Sequence, residues 1–162
     1  MRPAVVDQRS RVGDWEIDTI IGKSDQGAIV SIVERKTRFT CLIKVKDKSA
    51  AAVTAGSFEK LKRLKDVLFT ITADNGKEFA WHQHLKNALD VDVYFARPYH
   101  SWERSTNQNT NGLVRPYLPQ GTDLTQVTSD NVQWMEDKLN NRPRKCLGYK
   151  TPKEMMDLAL AA

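Results

Sequence analysis

A chain of 162 residues, 40% apolar and 28% charged, is long enough for one domain with a full hydrophobic core and has the balance of a soluble globular protein. No apolar run approaches the roughly 20 residues that span a membrane, and the N-terminal MRPAVVDQRSRVGDW lacks the apolar core of a secretory signal, so the expected location is a cytoplasm. The net charge of +5 admits a polyanionic partner, and Cys41 and Cys146, in unlike contexts, argue for reduced thiols rather than a disulfide framework or a zinc site.

Residues 1–12 are polar and carry Arg2, Pro3, Arg9 and Arg11, which reads as an arm or the remnant of a linker with something missing upstream. The domain proper is expected over residues 13–162. Trp15, Ile17, Thr19 and Ile21 alternate with Glu16, Asp18 and Ile20 in strand period, and Glu16 and Asp18 fall on one face. Two more strands, 28–35 and 39–46, follow across short turns, giving an antiparallel meander. The period then changes. Ser49 is placed to cap a helix running through Val53, Phe58, Leu61 and Leu64. A continuous apolar run, 67–71, predicts a strand buried on both faces, ending at Thr72-Ala73-Asp74-Asn75-Gly76. A helix over 78–89 and a fifth strand over 91–96 complete a βββαβαβ order, which implies an α/β mixed sheet with helices packed on it. After a loop containing Trp102, Glu103 and Arg104, Thr106 or Asn107 is expected to cap a helix carrying Gln108, Asn111 and Arg115, which Pro116 must end. A helix over 132–139 with Trp134 and Leu139 in the core, and a last helix opened by Thr151-Pro152, close the chain.

Three positions carry candidate chemistry. Asp18 lies in the first strand, Asp74 at the C-terminal end of the fourth, and Gln108 near the start of a helix, with 33 residues between Asp74 and Gln108. Strand ends are where open α/β sheets place their sites. Two carboxylates on neighbouring apolar strands would repel each other, and a hard divalent cation, Mg²⁺ or Mn²⁺, relieves that repulsion. A strand Asp is also commonly a solvent-facing residue, and Asp-Asn-Gly commonly only a turn, so spacing alone leaves both readings standing. Glu103 and Glu16 are the other acids within reach of such a site, each with a plain reading as an ordinary surface acid.

The segments Gly13-Asp14-Trp15-Glu16-Ile17-Asp18, Val33-Glu34-Arg35-Lys36-Thr37-Arg38, Thr72-Ala73-Asp74-Asn75-Gly76-Lys77-Glu78-Phe79 and Asn107-Gln108-Asn109-Thr110-Asn111-Gly112-Leu113 resemble the catalytic core of a bacterial insertion-sequence transposase. The insertion sequence thirty family, within the retroviral-integrase-like group, is the match. Pro119-Gln120-Gly121-Thr122-Asp123-Leu124 and Asn140-Asn141-Arg142-Pro143-Arg144 with Thr151-Pro152 extend it from about residue 12 to about residue 160. The resemblance implies a ribonuclease-H-like fold with a five-stranded mixed sheet, and a DDE metal site of Asp18, Asp74 and position 108. It implies Mg²⁺- or Mn²⁺-dependent cleavage of DNA and transfer of the freed 3′-hydroxyl to target DNA, in a bacterial cytoplasm at the nucleoid, with a homodimer as the expected assembly. Asn111, Arg115, Lys77, Arg104 and Trp102 would contact the DNA. The departure is Gln108, where the family has Glu. An amide offers one carbonyl oxygen and an NH₂ that cannot bind a cation, so a second metal site is weakened and activity is expected to be impaired or lost. The alternative reading is a non-catalytic DNA-binding or assembly module on the same fold.

Overall fold

The first three strands are β1 (Asp14–Ile21), where apolar and polar residues alternate at the start, β2 (Ala28–Glu34), a near-continuous apolar run buried throughout, and β3 (Thr40–Val45). The structure is a computed structural model and describes residues 2–73, 82–96 and 105–162, the side chains at positions 105, 107 and 108 excepted. The three strands pair antiparallel, with Ile17 opposite Ile32, Asp18 opposite Ser31 and Ile32 opposite Cys41. Two parallel strands, β4 (Thr70–Ala73) and β5 (Asp92–Phe95), extend the sheet on the other side of β1, in the order β3-β2-β1-β4-β5. This is the five-stranded mixed sheet expected from the sequence.

Each face of the sheet has its own core. Trp15, Ile17, Ile71 and Ala73 pack on one face with residues of α2 (Ala50–Leu61), α3 (His82–Leu89) and α6 (Pro152–Ala161). Ile20, Ile29 and Leu42 pack on the other with residues of α4 (Ser105–Val114) and α5 (Ser129–Asn140). A short α1 (Ala4–Asp7) precedes the sheet. Ser49 caps α2 through its hydroxyl, and Thr151 with Glu154 forms a reciprocal capping box on α6, with Pro152 in the first turn. Both follow from the sequence. Gly13 enters the sheet with φ of +129°, and a Cβ there would lie 2.2 Å from the Phe69 ring, so only glycine fits.

The edge strand β3 shows why α5 packs where it does. Outward backbone groups of an edge strand need partners. Asn140 accepts from the Thr40 N–H and donates to the Thr40 carbonyl, both at 2.8 Å, and Glu136 accepts from the Leu42 N–H at 2.9 Å. Polar side chains of a helix thereby complete the ladder and cover the edge.

Four sequence expectations shift. The apolar run 67–71 is strand only at its end, because Val67 closes a 3-10 segment (Lys62–Val67) whose last carbonyl accepts from Trp15 Nε1 at 2.8 Å. Trp134 is 51% exposed rather than core, and stands edge-on to Tyr117 with Lys138 above its ring. Thr106 and Asn107 lie within α4 rather than capping it, and the Thr106 hydroxyl accepts from Arg38 instead. Residues 2–12 lie against the sheet, with Val6 fully buried. No helix among the described residues is long and apolar enough to cross a membrane.

The cysteines differ in the folded chain. Cys41 is buried, and burial pushes its thiol far up from the ordinary value, whereas Cys146 is exposed. Iodoacetamide at neutral pH is expected to label Cys146 alone in the native protein and both residues in denaturant, read by peptide mass. Native labelling of Cys41 would contradict the packing of β3 against α2.

Candidate active site

Glu16, Asp18 and Ile20 point to one face of β1, the face that α4 and α5 cover, while Trp15 and Ile17 enter the opposite core. The α4 helix docks there through Thr106, Thr110 and Val114, buried at every fourth residue. Asn111 flanks that row and reaches the sheet. Its Nδ2 donates to Asp18 Oδ2 at 3.1 Å, and its Oδ1 accepts from Ser31 Oγ at 3.2 Å. Ser31 is fully buried and directly opposite Asp18 in the β1–β2 register. Asp18 Oδ1 accepts the backbone N–H of Thr19 at 2.8 Å. A half-buried carboxylate is thus oriented by one backbone amide and one helix side chain, with the Asn111 NH₂ facing Asp18 and its carbonyl oxygen turned to Ser31. Of these groups the carboxylate is the one that suits a hard divalent cation.

Of the three predicted ligands, the structure describes the side chain of Asp18 only. Asp74 lies outside the described residues. Gln108 belongs to α4, one turn before Asn111, and its side chain is outside the described set. Among the described residues no group of three or more His, Cys, Asp or Glu side chains could hold a metal ion. Lys77, Trp102 and Arg104, predicted to contact DNA, also lie outside the described residues. The other two are described. Asn111 is engaged with Asp18 and Ser31. Arg115 is exposed just past α4 and turns toward the Leu118 carbonyl at 3.5 Å.

The floor beneath Asp18 was not anticipated. Glu16, read as an ordinary surface acid, is fully buried and paired with Arg35, itself 2% exposed. Arg35 Nε also donates to the Val6 carbonyl at 3.1 Å, and Arg2 Nη1 donates to Thr72 Oγ1 at 3.2 Å. Burial pulls the Arg35 guanidinium below its ordinary value, against the attraction of Glu16. The neighbouring Glu34 accepts the backbone N–H groups of Lys36, Thr37 and Gly13 at 2.7, 2.6 and 3.0 Å. Its burial pushes the carboxyl above the ordinary glutamate value, against the pull of those amides. Arg38 then ties the β2–β3 turn to α4, its Nη1 donating to Thr106 Oγ1 at 2.7 Å. The available signal for Ser31 was a hydroxyl inside the apolar run Ala28-Ile29-Val30-Ser31-Ile32-Val33. Arg35 carried no such signal, since a strand-end arginine usually faces water.

No family model matches the chain. It is 50% identical over 153 residues to the transposase for insertion sequence element IS4351 of Bacteroides fragilis, covering 94% of this chain and 47% of that protein. It is 38% identical over 157 residues to transposase InsI for insertion sequence element IS30A of Escherichia coli strain K12, covering 96% of this chain and 41% of that protein. The catalytic core domain of BIV integrase superposes with a TM-score of 0.65 at 16% identity, over 89% of this chain and 93% of that one. The chain spans less than half the length of these two transposases. It is a homologue of insertion-sequence transposases, the IS30 kind among them, and carries the ribonuclease-H-like fold of an integrase catalytic core.

Proposed function

We propose that this chain is the core that cleaves and joins DNA strands in transposition, with Asp18, Asp74 and position 108 as the metal-binding triad and Gln108 as the reason its activity is low. The observation that carries this reading is the Asn111–Asp18 hydrogen bond, which holds α4 and β1 together at the first acid. The parallel register of β1 and β4 supports the second acid. Asp14 faces Thr70 and Glu16 faces Thr72, the last described pair, which lies two residues before Asp18 in one strand and two before Asp74 in the sequence of the other. The third position precedes Asn111 by three residues in α4, the spacing that shares a helix side.

The bound Mg²⁺ or Mn²⁺ would supply Lewis-acid stabilisation of the attacking and leaving oxygens of a phosphodiester. This chain's own residues orient the site. Thr19 N–H and Asn111 Nδ2 fix the two oxygens of Asp18, and Ser31 fixes the Asn111 amide. The proposed partners are DNA, as transposon end and target, and a second copy of the chain in a homodimer, at the bacterial nucleoid.

The test is nicking of a short duplex in Mg²⁺ and in Mn²⁺ at low salt by the Gln108→Glu chain, with Gln108→Glu/Asp18→Asn as its blank. Cutting by the first and none by the second is expected. Equal cutting by both removes Asp18 from the site. No cutting by either, in a chain that still binds DNA, favours the non-catalytic module.

A further inference from the structure

A cleft of about 420 Å³ opens between the N-terminal arm, the β2–β3 turn and the segment ahead of α6. Arg9, Arg35, Lys36, Arg38 and Lys150 line it together with Cys146, and no acidic side chain does so among the described residues. Arg35, just past the end of β2, forms part of its wall. Arg35 pairs there with Glu16, two residues and roughly 7 Å along the strand from Asp18. Its rim touches the active-site helix, through the Arg38–Thr106 hydrogen bond.

We infer that this cleft is a docking site for the phosphodiester backbone of DNA, adjacent to the Asp18 centre, with Arg9, Lys36, Arg38 and Lys150 as its phosphate-facing cations. The assignment rests on the DNA reading above and adds a site to it. Five cationic side chains line a concave, partly desolvated space, which favours an entering anion, although Glu16 already pairs with Arg35. Burial pulls the Arg9 guanidinium down, and Arg38 and Arg35 pull it further, against the attraction of Glu16. Burial does the same to Arg144 beside the cleft, against the effect of Cys146 and with Arg142 and Arg38 adding to it. The backbone is a separate observation. Arg9 and Arg38 sit in the left-handed region, with φ of 51° and 64°, as does Tyr149, next to Lys150, at 66°. Glycine adopts that region without steric cost, and other L-residues do not. An arginine held in left-handed backbone keeps its side chain at a conformational cost, which at Arg38 also serves the bond to Thr106.

Non-specific backbone contacts of this kind bind through counterion release, and each phosphate contact adds a slope of about −0.9 to log K against log salt. The pocket therefore has a thermodynamic signature independent of catalysis.

The experiment is fluorescence anisotropy of a labelled duplex in EDTA across a KCl series. The variants are Arg9→Gly/Arg38→Gly and Lys36→Ala/Lys150→Ala, with Lys46→Ala/Lys48→Ala as the control of equal charge change. Lys46 and Lys48 are exposed at the far end of the β2–β3 hairpin. The glycine pair relieves left-handed strain but gives up the Arg38–Thr106 hydrogen bond, whereas the lysine pair gives up only the exposed Lys36 bond to the Ser10 carbonyl, so the lysine pair should melt within a few degrees of the parent and is the decisive variant. Each cleft variant is expected to lose a slope of about 1.8 and, near 0.1 M salt, more than about tenfold in affinity. The control is expected to lose neither. Parent-like affinity and slope in both folded cleft variants would overturn the site and leave the DNA reading standing. Equal losses in the control would also overturn it, by assigning the effect to net charge. A parent chain that binds no duplex would overturn both readings.

Discussion

Replacing Gln108 by glutamate is expected to raise divalent-dependent nicking by at least about 100-fold over the parent, or ~2.7 kcal/mol of barrier. The two side chains have nearly the same shape and differ in charge. Glutamate gives a cation two oxygens and a full negative charge, while glutamine gives one carbonyl oxygen and an NH₂ that repels it. The loss falls mainly on the metal that Asp18 and position 108 would share. A second readout follows. The Mn²⁺ concentration for half-maximal cutting should fall at least about tenfold in the Glu variant, since a carboxylate–cation attraction has been added. Mn²⁺ should narrow the gap between the two chains more than Mg²⁺, because it is less strict about coordination geometry. A parent that cuts as fast as the variant would show that position 108 is not a ligand. The structure narrows what would replace it. Glu16 is committed to Arg35 beneath the site, which leaves Glu103, outside the described residues, as the acid to test.

Periodicity carried the sheet well because strand faces alternate whatever packs on them. The Trp15/Ile17 and Glu16/Asp18 faces of β1 emerged in the order observed, and the β2–β3 hairpin followed from its turn. Two of the misreadings come from taking apolar character as a guide to place and conformation. Val67 and Leu68 are buried as expected, yet they belong to the turn that receives the Trp15 indole. Trp134 is large and apolar, but its position on α5 faces outward, where Tyr117 and Lys138 cover it in part. Asp18 was legible as an acid in a strand, and the approach of the Asn111 helix only through family resemblance. The Asn111–Asp18 contact joins residues 93 apart, and Arg35 meets Glu16 over a separation of 19. No local pattern encodes which side chain arrives from that distance. For the same reason Glu16 read as a surface acid, since the strand shows its face but not the arm that covers it.

That covered acid gives the largest expected effect on stability. Arg35→Met should destabilise the fold by about 3–5 kcal/mol, measured as a lowered urea midpoint at unchanged m-value. Glu16 is fully buried, and Arg35 is 2% exposed. Removing the guanidinium strands a carboxylate that must stay ionised in a poor solvent or take up a proton, and either route costs free energy. It also removes the donor to the Val6 carbonyl, so the arm loses its anchor on the sheet. Against a total of about 5–15 kcal/mol for a domain of this size, the fold would lose a substantial part of its margin. The double variant Glu16→Gln/Arg35→Met should recover part of the loss, because a neutral amide leaves no unpaired charge. A single-variant loss below about 1 kcal/mol would show that the pair is solvated in solution and that the arm does not seal it. The same measurement bears on the site above. If the pair holds the arm closed under Asp18, Arg35→Met should increase hydrogen exchange at Thr72 and Val6 well before it does so at Ser31, which the β1–β2 ladder and Asn111 hold independently.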